Sequence, residues 1–302
     1  MTGVGASGGP AKEEPLRVLV TGATGFVGRH VVQALLARGC EVSALCRDTA
    51  KAEAMPWRGR AKVIQGDIAD LSDGQMGILA GHGRILHLAW EGLPNYKAES
   101  QVTEVLPRHL AFLTRLVEHG ARHLLVTGTC LEYGLLEGAL AEDAPCAPVT
   151  AYGRAKNALR LALEPVCAPR GATLQWARLF YMHGPGQSEK SLLSQLDRAI
   201  NSGATTFDMS GGEQVRDYLS VEQVADLLAR VALQDRVTGV INCASGRPVT
   251  VRALVEAHLR QRGADLRLNL GHYPYPDYEP MRFWADTAKL AAALAASPDQ
   301  EL

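Results

Sequence analysis

Apolar and polar positions along the chain follow two rhythms. Short aliphatic and β-branched runs recur between longer stretches whose apolar residues fall three and four apart. The first such pair is LRVLVTGATGFVGRHVVQALLARG, residues 16–39. Arg17–Thr21 reads as a buried parallel strand. Val27, Val31, Ala34 and Leu35 then recur at helical spacing, and Gly39 stands where a C′ glycine ends a helix. Further strands are predicted at 41–46 (EVSALC), 61–65 (AKVIQ), 84–89 (RILHLA) and 122–127 (RHLLVT), with long helices over 97–119 and 151–167. On the 97–119 helix, Val102, Val105, Leu106, Leu110, Leu113, Leu116 and Val117 cover more than one face, which predicts packing on its own sheet and on a second subunit. Strands alternating with helices predict an α/β fold, a doubly wound parallel Rossmann sheet of about seven strands.

Composition narrows the class. Thirty-one Lys and Arg against 32 Asp and Glu leave a net charge of −1, with no long block of one sign. That speaks against nucleic acid or a membrane surface as the main partner. Six cysteines are scattered without a C-x-x-C pair and read as reduced thiols of a cytoplasmic protein. No apolar run approaches the ~18 residues of a membrane span. Residues 1–14, MTGVGASGGPAKEE, are predicted to be a disordered tail.

The first candidate chemistry is the G-x-x-G-x-x-G formed by Gly22, Gly25 and Gly28 between a strand and a helix. A helix N-terminus offers open N–H groups and the positive end of the dipole, and glycines let phosphates approach the backbone. The turn, with Thr24, Phe26 and Val27, is therefore predicted to cradle a dinucleotide pyrophosphate. At the end of the second strand, where an NAD site carries an acid for the ribose, stand Cys46 and Arg47, and Arg29 follows the last glycine. Two cations there favour NADP(H), with NAD the alternative. The competing readings are two solvated arginines and a shifted boundary that brings Asp48 to the ribose. After the third strand, Asp67 and Ile68 are candidates to bond and cover the adenine; Asp67 reads equally well as a helix cap. Leu88, Ala89 and Trp90, followed by Glu91-Gly92, end the fourth strand at the carboxyl edge where ligands bind, as Thr127 does on the fifth. His87, inside the fourth strand, reads as a packed core histidine. No metal site is predicted: Gly120 breaks the helix between His119 and His123.

Tyr152 and Lys156 stand at i and i+4 in the helix that opens at Thr150. An ammonium beside a phenol lowers the phenol's pKa, which suits Tyr152 to general acid–base work. An exposed helix with a solvated lysine would show the same spacing.

TGATGFVG (21–28), Thr129 four residues before Tyr133-Gly134, and Tyr152-x-x-x-Lys156 come in one order, each at the expected strand or helix. The chain resembles the extended short-chain dehydrogenase/reductase family of nucleotide-sugar epimerases, dehydratases and ketoreductases. The likeness continues through Arg178-Leu179-Phe180, Gly184-Pro185-Gly186, Arg216-Asp217-Tyr218 and 242–246. It implies that Thr129 bonds the reacting sugar oxygen, that Tyr152 moves its proton, and that Lys156 holds the nicotinamide ribose and tunes Tyr152. It also implies that Arg216 and Arg282 are aimed at the substrate diphosphate. Where dehydratases of the family carry Asp-Glu after the threonine, this chain has Cys130-Leu131, which argues against elimination of water. Tyr181, His183 and Glu104 also depart from the family pattern and reshape the sugar pocket. Cys130-Leu131-Glu132-Tyr133-Gly134 and LAWEGLPNY (88–96) most resemble the NDP-4-keto-6-deoxyhexose reductases, of CDP-abequose synthase and dTDP-6-deoxytalose dehydrogenase types.

The resulting expectation is an NADP(H)-dependent reductase acting on a nucleotide-diphosphate sugar. Trp90, Cys130, Glu132, Tyr181, His183, Arg216 and Arg282 are its candidate substrate residues. Residues 15–180 plus 213–244 form the expected cofactor domain and 181–212 plus 245–302 a smaller sugar-nucleotide lobe. A homodimer through a four-helix contact of 97–119 and 151–167 is expected. The alternatives are an NAD-retaining nucleotide-sugar epimerase and a non-catalytic NADP-binding protein.

Overall fold

A computed structural model describes residues 14–298. The expected tail at 1–14 lies outside the described residues except for Glu14. Seven parallel strands make the central sheet: β1 (Arg17–Thr21), β2 (Glu41–Cys46), β3 (Lys62–Gln65), β4 (Arg84–His87), β5 (His123–Thr129), β6 (Thr173–Leu179) and β7 (Gly239–Cys243). Their order is β7-β6-β5-β4-β1-β2-β3. The chain reverses direction across the sheet between β1 and β4. That is the switch point at which open α/β sheets leave a crevice beyond the strand ends.

The inner strands are largely apolar on both sides because both faces are covered, whereas the edge strand β3 is largely exposed. Val18 and Val20 of β1 enter one core, with helix α1 (Phe26–Ala37) and the helix Val221–Ala232; Leu19 enters the other. This second core lies under Asp73–Ala80, α2 (Leu106–Glu118) and α3 (Ala151–Cys167). The last helix, Ala288–Ala295, buries Leu290 and Ala293 in the first core. It therefore packs with the sheet rather than with the smaller lobe to which its position in sequence had assigned it. A separate apolar cluster, including Leu193, Leu196, Phe207, Val255 and Leu259, holds the helices Leu192–Asn201 and Val251–Arg262 together.

The predicted 97–119 helix is not one regular helix. Gln101–Val105 is a π turn, and the α-helix begins at Leu106. Pro107 in its first turn has no N–H, so the regular ladder cannot run through it. The buried stripe gains His109 and Phe112, while Val102, Leu106 and Leu110 are half-buried. Among the described residues no helix is long and apolar enough to cross a membrane.

Candidate active site

The turn after β1 is built from contacts that only glycine permits. Gly22 has φ +69°, and a Cβ there would lie 2.6 Å from the backbone N of Ala89. A Cβ on Gly28 would lie 2.1 Å from the carbonyl of Gly22. Gly25 is the N-cap of α1 without a side-chain cap, and the first turn carries no acid. The helix therefore presents open amides and an uncompensated positive end, the chemistry a pyrophosphate requires. These amides face a cavity of about 760 Å³ over the strand ends, lined on this side by Gly22, Gly25, Phe26, Val27, Gly28, Leu88 and Trp90.

The opposite wall brings together Thr127, Thr129, Cys130, Tyr152 and Lys156, and beyond them Tyr181 and His183. Thr150 caps α3 by accepting from Gly153 N–H at 3.0 Å, which fixes the turn that carries Tyr152. Tyr152 is buried, its ring 5.6 Å from that of Tyr96 and 6.0 Å from that of Trp90. The Lys156 ammonium donates to the carbonyl of Thr127 at 2.9 Å and sits 3.9 Å above the Trp90 ring. Burial lowers its pKa to about 7, against the pull of Glu132 and Glu91. The phenol of Tyr152 moves the other way. Burial pushes it well above its ordinary value, with Tyr96, Glu132 and Cys130 adding to the rise. The expectation that Lys156 lowers the phenol is thus not met in this arrangement, because the ammonium faces a carbonyl and an indole.

The sequence model of the NAD dependent epimerase/dehydratase family matches residues 18–244. The chain belongs to that family. Among curated relatives, the dTDP-6-deoxy-L-talose 4-dehydrogenase (NAD(+)) of Aggregatibacter actinomycetemcomitans is 28% identical over 271 residues, covering 89% of this chain and 99% of that one. The dTDP-6-deoxy-L-talose 4-dehydrogenase (NAD(P)(+)) of Kitasatospora kifunensis is 30% identical over 274 residues, 87% of this chain and 84% of that one. The UDP-glucuronic acid 4-epimerase of Bacillus cereus, solved with UDP-glucuronic acid and NAD, superposes with a TM-score of 0.79 at 22% identity over 94% of each chain. That last likeness speaks to fold alone.

Several residues expected at the site of this epimerase/dehydratase-family protein lie outside the cavity. Glu132 is fully buried behind it. Its carboxylate accepts from Thr129 N–H at 2.8 Å and Trp176 N–H at 2.9 Å, and pairs with Arg178 at 2.8 Å. It is a support beneath Thr129 and not a substrate contact, because as the third residue of a capping box its side chain turns back into the core. Arg216 is buried and paired with Glu279 at 3.0 Å; Glu279, not Arg216, lines the cavity. Arg282 is exposed, and its carbonyl accepts from Gly138 N–H.

On the cofactor side, Thr24 is half-buried in the turn, and Arg29 lies against Gly186 with its Nε 3.3 Å from the carbonyl of Gly25. Arg47 is exposed between Asp67 at 3.9 Å and Glu91 at 3.7 Å. Asp48 caps the helix Thr49–Glu53, so its carboxylate is turned toward Ala50 and Lys51 N–H. Asp67 accepts from Ala69 N–H, Ile68 packs in the core, and Ala89 donates its N–H to Thr21 Oγ1.

The sequence reading missed Tyr96, Tyr278 and Glu279 as cavity residues, and it missed the partners of His87. His87 is packed in the core as expected, but it lies in a buried chain of hydrogen bonds running to Glu91. No spacing marks these residues, because Tyr96 comes from the loop after β4, Tyr278 and Glu279 from a loop about 180 positions later, and His109 from α2.

Proposed function

We propose that the protein is an NADP(H)-dependent reductase of the 4-keto group of a nucleotide-linked 6-deoxyhexose, a 4-dehydrogenase in the reverse direction. The observation that carries this reading is one cavity wall. Thr129, Tyr152 and Lys156 share it, and the residues that follow Thr129 into the cavity are Cys130 and Leu131. Elimination of water needs an acid and a base beside the sugar. Leucine is neither, and burial pushes the Cys130 thiol far above its ordinary pKa. The two 4-dehydrogenase relatives support the same choice.

Gly22, Gly25 and Gly28 would hold a nicotinamide cofactor, which when bound would supply the hydride for the sugar carbon. Tyr152 would give its phenolic proton to the sugar oxygen, so that the ketone becomes an alcohol. The Thr129 hydroxyl accepts from Leu131 N–H, which leaves its own hydrogen for the same sugar oxygen. Lys156, whose ammonium lines the same wall, would hold the cofactor ribose. Trp90, Cys130, Tyr181 and His183 shape the sugar end. Arg216 reaches the diphosphate once its pair with Glu279 opens, and Arg282 serves only from the rim. Arg29 and Arg47 favour NADP(H), with Asp48 diverted to its cap. Asp67, Ile68, Leu88, Ala89 and Thr127 complete the cofactor side. A cytoplasmic homodimer through 97–119 and α3, where Leu161 is exposed, completes the reading.

A second reading, an NAD-retaining epimerase, draws on the carboxylates of Asp67 and Glu91 beside Arg47. Titration of the purified protein with NADPH and NADH, followed by nicotinamide fluorescence, separates the two. Reversible NADPH binding to cofactor-free protein, with turnover of an NDP-4-keto-6-deoxyhexose, is the expected result. Firmly retained NAD with no response to NADPH would replace the reductase with the epimerase.

A further inference from the structure

Three elements meet in an unbroken buried chain of hydrogen bonds. Thr21 Oγ1 at the end of β1 lies 2.9 Å from His87 Nδ1. His87 Nε2 lies 2.7 Å from His109 Nδ1, and His109 Nε2 lies 2.8 Å from a carboxylate oxygen of Glu91. Neither imidazole is exposed. Burial lowers the pKa of both, against the pull of Glu91 on His109, and keeps them neutral. Two neutral imidazoles in this order allow one proton arrangement. His109 donates from Nε2 to the carboxylate, its bare Nδ1 accepts from His87 Nε2, and His87 Nδ1 accepts from the Thr21 hydroxyl. The Thr21 oxygen in turn accepts from Ala89 N–H. Trp90 stacks on His109 at 4.6 Å, with its indole N–H bonded to Gln101, so the imidazole is also held by its face.

The far end of this chain is a carboxylate that cannot move freely. The bond from His109, helped by Arg108 and Arg47, holds it ionised with a pKa of about 2. It stands 3.5 Å from Arg108 and 3.7 Å from Arg47. Arg47 follows β2, the place where a dinucleotide's adenosine ribose sits in this fold. The cation that would receive a 2′-phosphate therefore already faces a fixed anion.

We propose that Glu91 is a cofactor-specificity residue, positioned by His109 and His87, which weakens the protein's hold on the 2′-phosphate of NADP(H) by occupying Arg47. The inference rests on the cofactor reading given above. Its consequence is a preference for NADP(H) that is narrower than Arg47 alone would give.

The test is direct binding. Glu91→Gln keeps an oxygen for the His109 N–H and removes the charge. Dissociation constants for NADPH and NADH are measured by nicotinamide fluorescence in the wild type, Glu91→Gln, His109→Gln and Arg47→Ala. For Glu91→Gln, NADPH binding is expected to tighten roughly fivefold while NADH stays within about twofold. Equal movement of both constants, or no movement, overturns the proposal. A folded His109→Gln that shifts the NADPH to NADH ratio in the same direction supports the positioning role; an unchanged ratio removes it. If His109→Gln fails to fold, the Glu91→Gln ratio still decides. Arg47→Ala separates the two levels. If it weakens NADPH while Glu91→Gln does nothing, the inference alone fails; if it leaves NADPH unchanged, the cofactor reading fails with it.

Discussion

Two buried cations flank Thr129, and they are held in opposite ways. Arg178 is enclosed by partners: the carboxylate of Glu132 at 2.8 Å, the carbonyl of Glu142 at 3.3 Å, the sulfur of Cys146, and the face of Tyr133. Its own burial disfavours the charge, but Glu132 and Tyr133 outweigh that cost, and its pKa lies above the ordinary value. Lys156 has one carbonyl, at 2.9 Å, and the face of an indole. Burial wins there, and the ammonium titrates near neutrality, at about 7. The fully matched cation holds the frame, whereas the under-matched one is poised to change its proton or its partner. Structural and chemical charges in this protein are told apart by how completely they are satisfied.

The largest effect expected from breaking that contrast is on chemistry. Tyr152→Phe removes the proposed proton donor, and turnover should fall by about 10³-fold or more with cofactor affinity nearly unchanged. Measured kcat alongside the fluorescence Kd checks it; substantial turnover in the variant would sink the assigned role. On the structural side, Glu132→Gln leaves Arg178 as a buried charge without its anion. The folded state should lose about 3–5 kcal/mol in denaturant unfolding. A loss under about 1 kcal/mol would mean that Arg178 is not the locked partner described.

Lys156→Met sharpens the contrast because the two properties should separate. Activity falls, yet the folded state should gain about 1–3 kcal/mol near pH 7, since a disfavoured buried charge is replaced by an apolar chain. The sign follows from proton binding. The lysine titrates at 10.5 when unfolded and at about 7 when folded, so between those values the unfolded chain carries the extra proton. The cost of the charge is complete below pH 7 and disappears as pH rises toward 10.5. The advantage of the variant should therefore shrink across that window in paired melting curves, and a constant gap would refute the assignment. The smallest effect belongs to Arg282→Ala, an exposed side chain outside the cavity. Its stability should stay within about 0.5 kcal/mol and its substrate KM within about twofold.

Local features were legible along the chain. β1 and β2 stand at the limits read from the sequence, and the glycine turn declares itself within a few residues. Part of the turn needs only neighbours, since Gly28 must pass the carbonyl of Gly22, six positions away, whereas Gly22 itself is pressed by Ala89 from beyond β4. The i, i+4 relation of Tyr152 and Lys156 is equally local. The π turn before Leu106 had a local cause in Pro107, but helical periodicity alone ran through it.

Direction and partnership were not legible, because they depend on what other elements bring. Glu132 has the residue type of a substrate contact, yet Trp176 and Arg178 on β6 draw it inward. Arg216 has the type of a phosphate receptor, yet Glu279, 63 positions later, holds it. His87 reads as core, and it is core; only the approach of His109 from α2 turns it into a link between Thr21 and Glu91. By itself the sequence determined the sheet, the phosphate-type turn and the family, since backbone geometry and spacing over a few residues are properties of the chain. The tertiary structure decided which charges are locked and which are poised. A side chain's pKa and direction are set by desolvation and by partners that lie far apart in sequence and meet only in the fold.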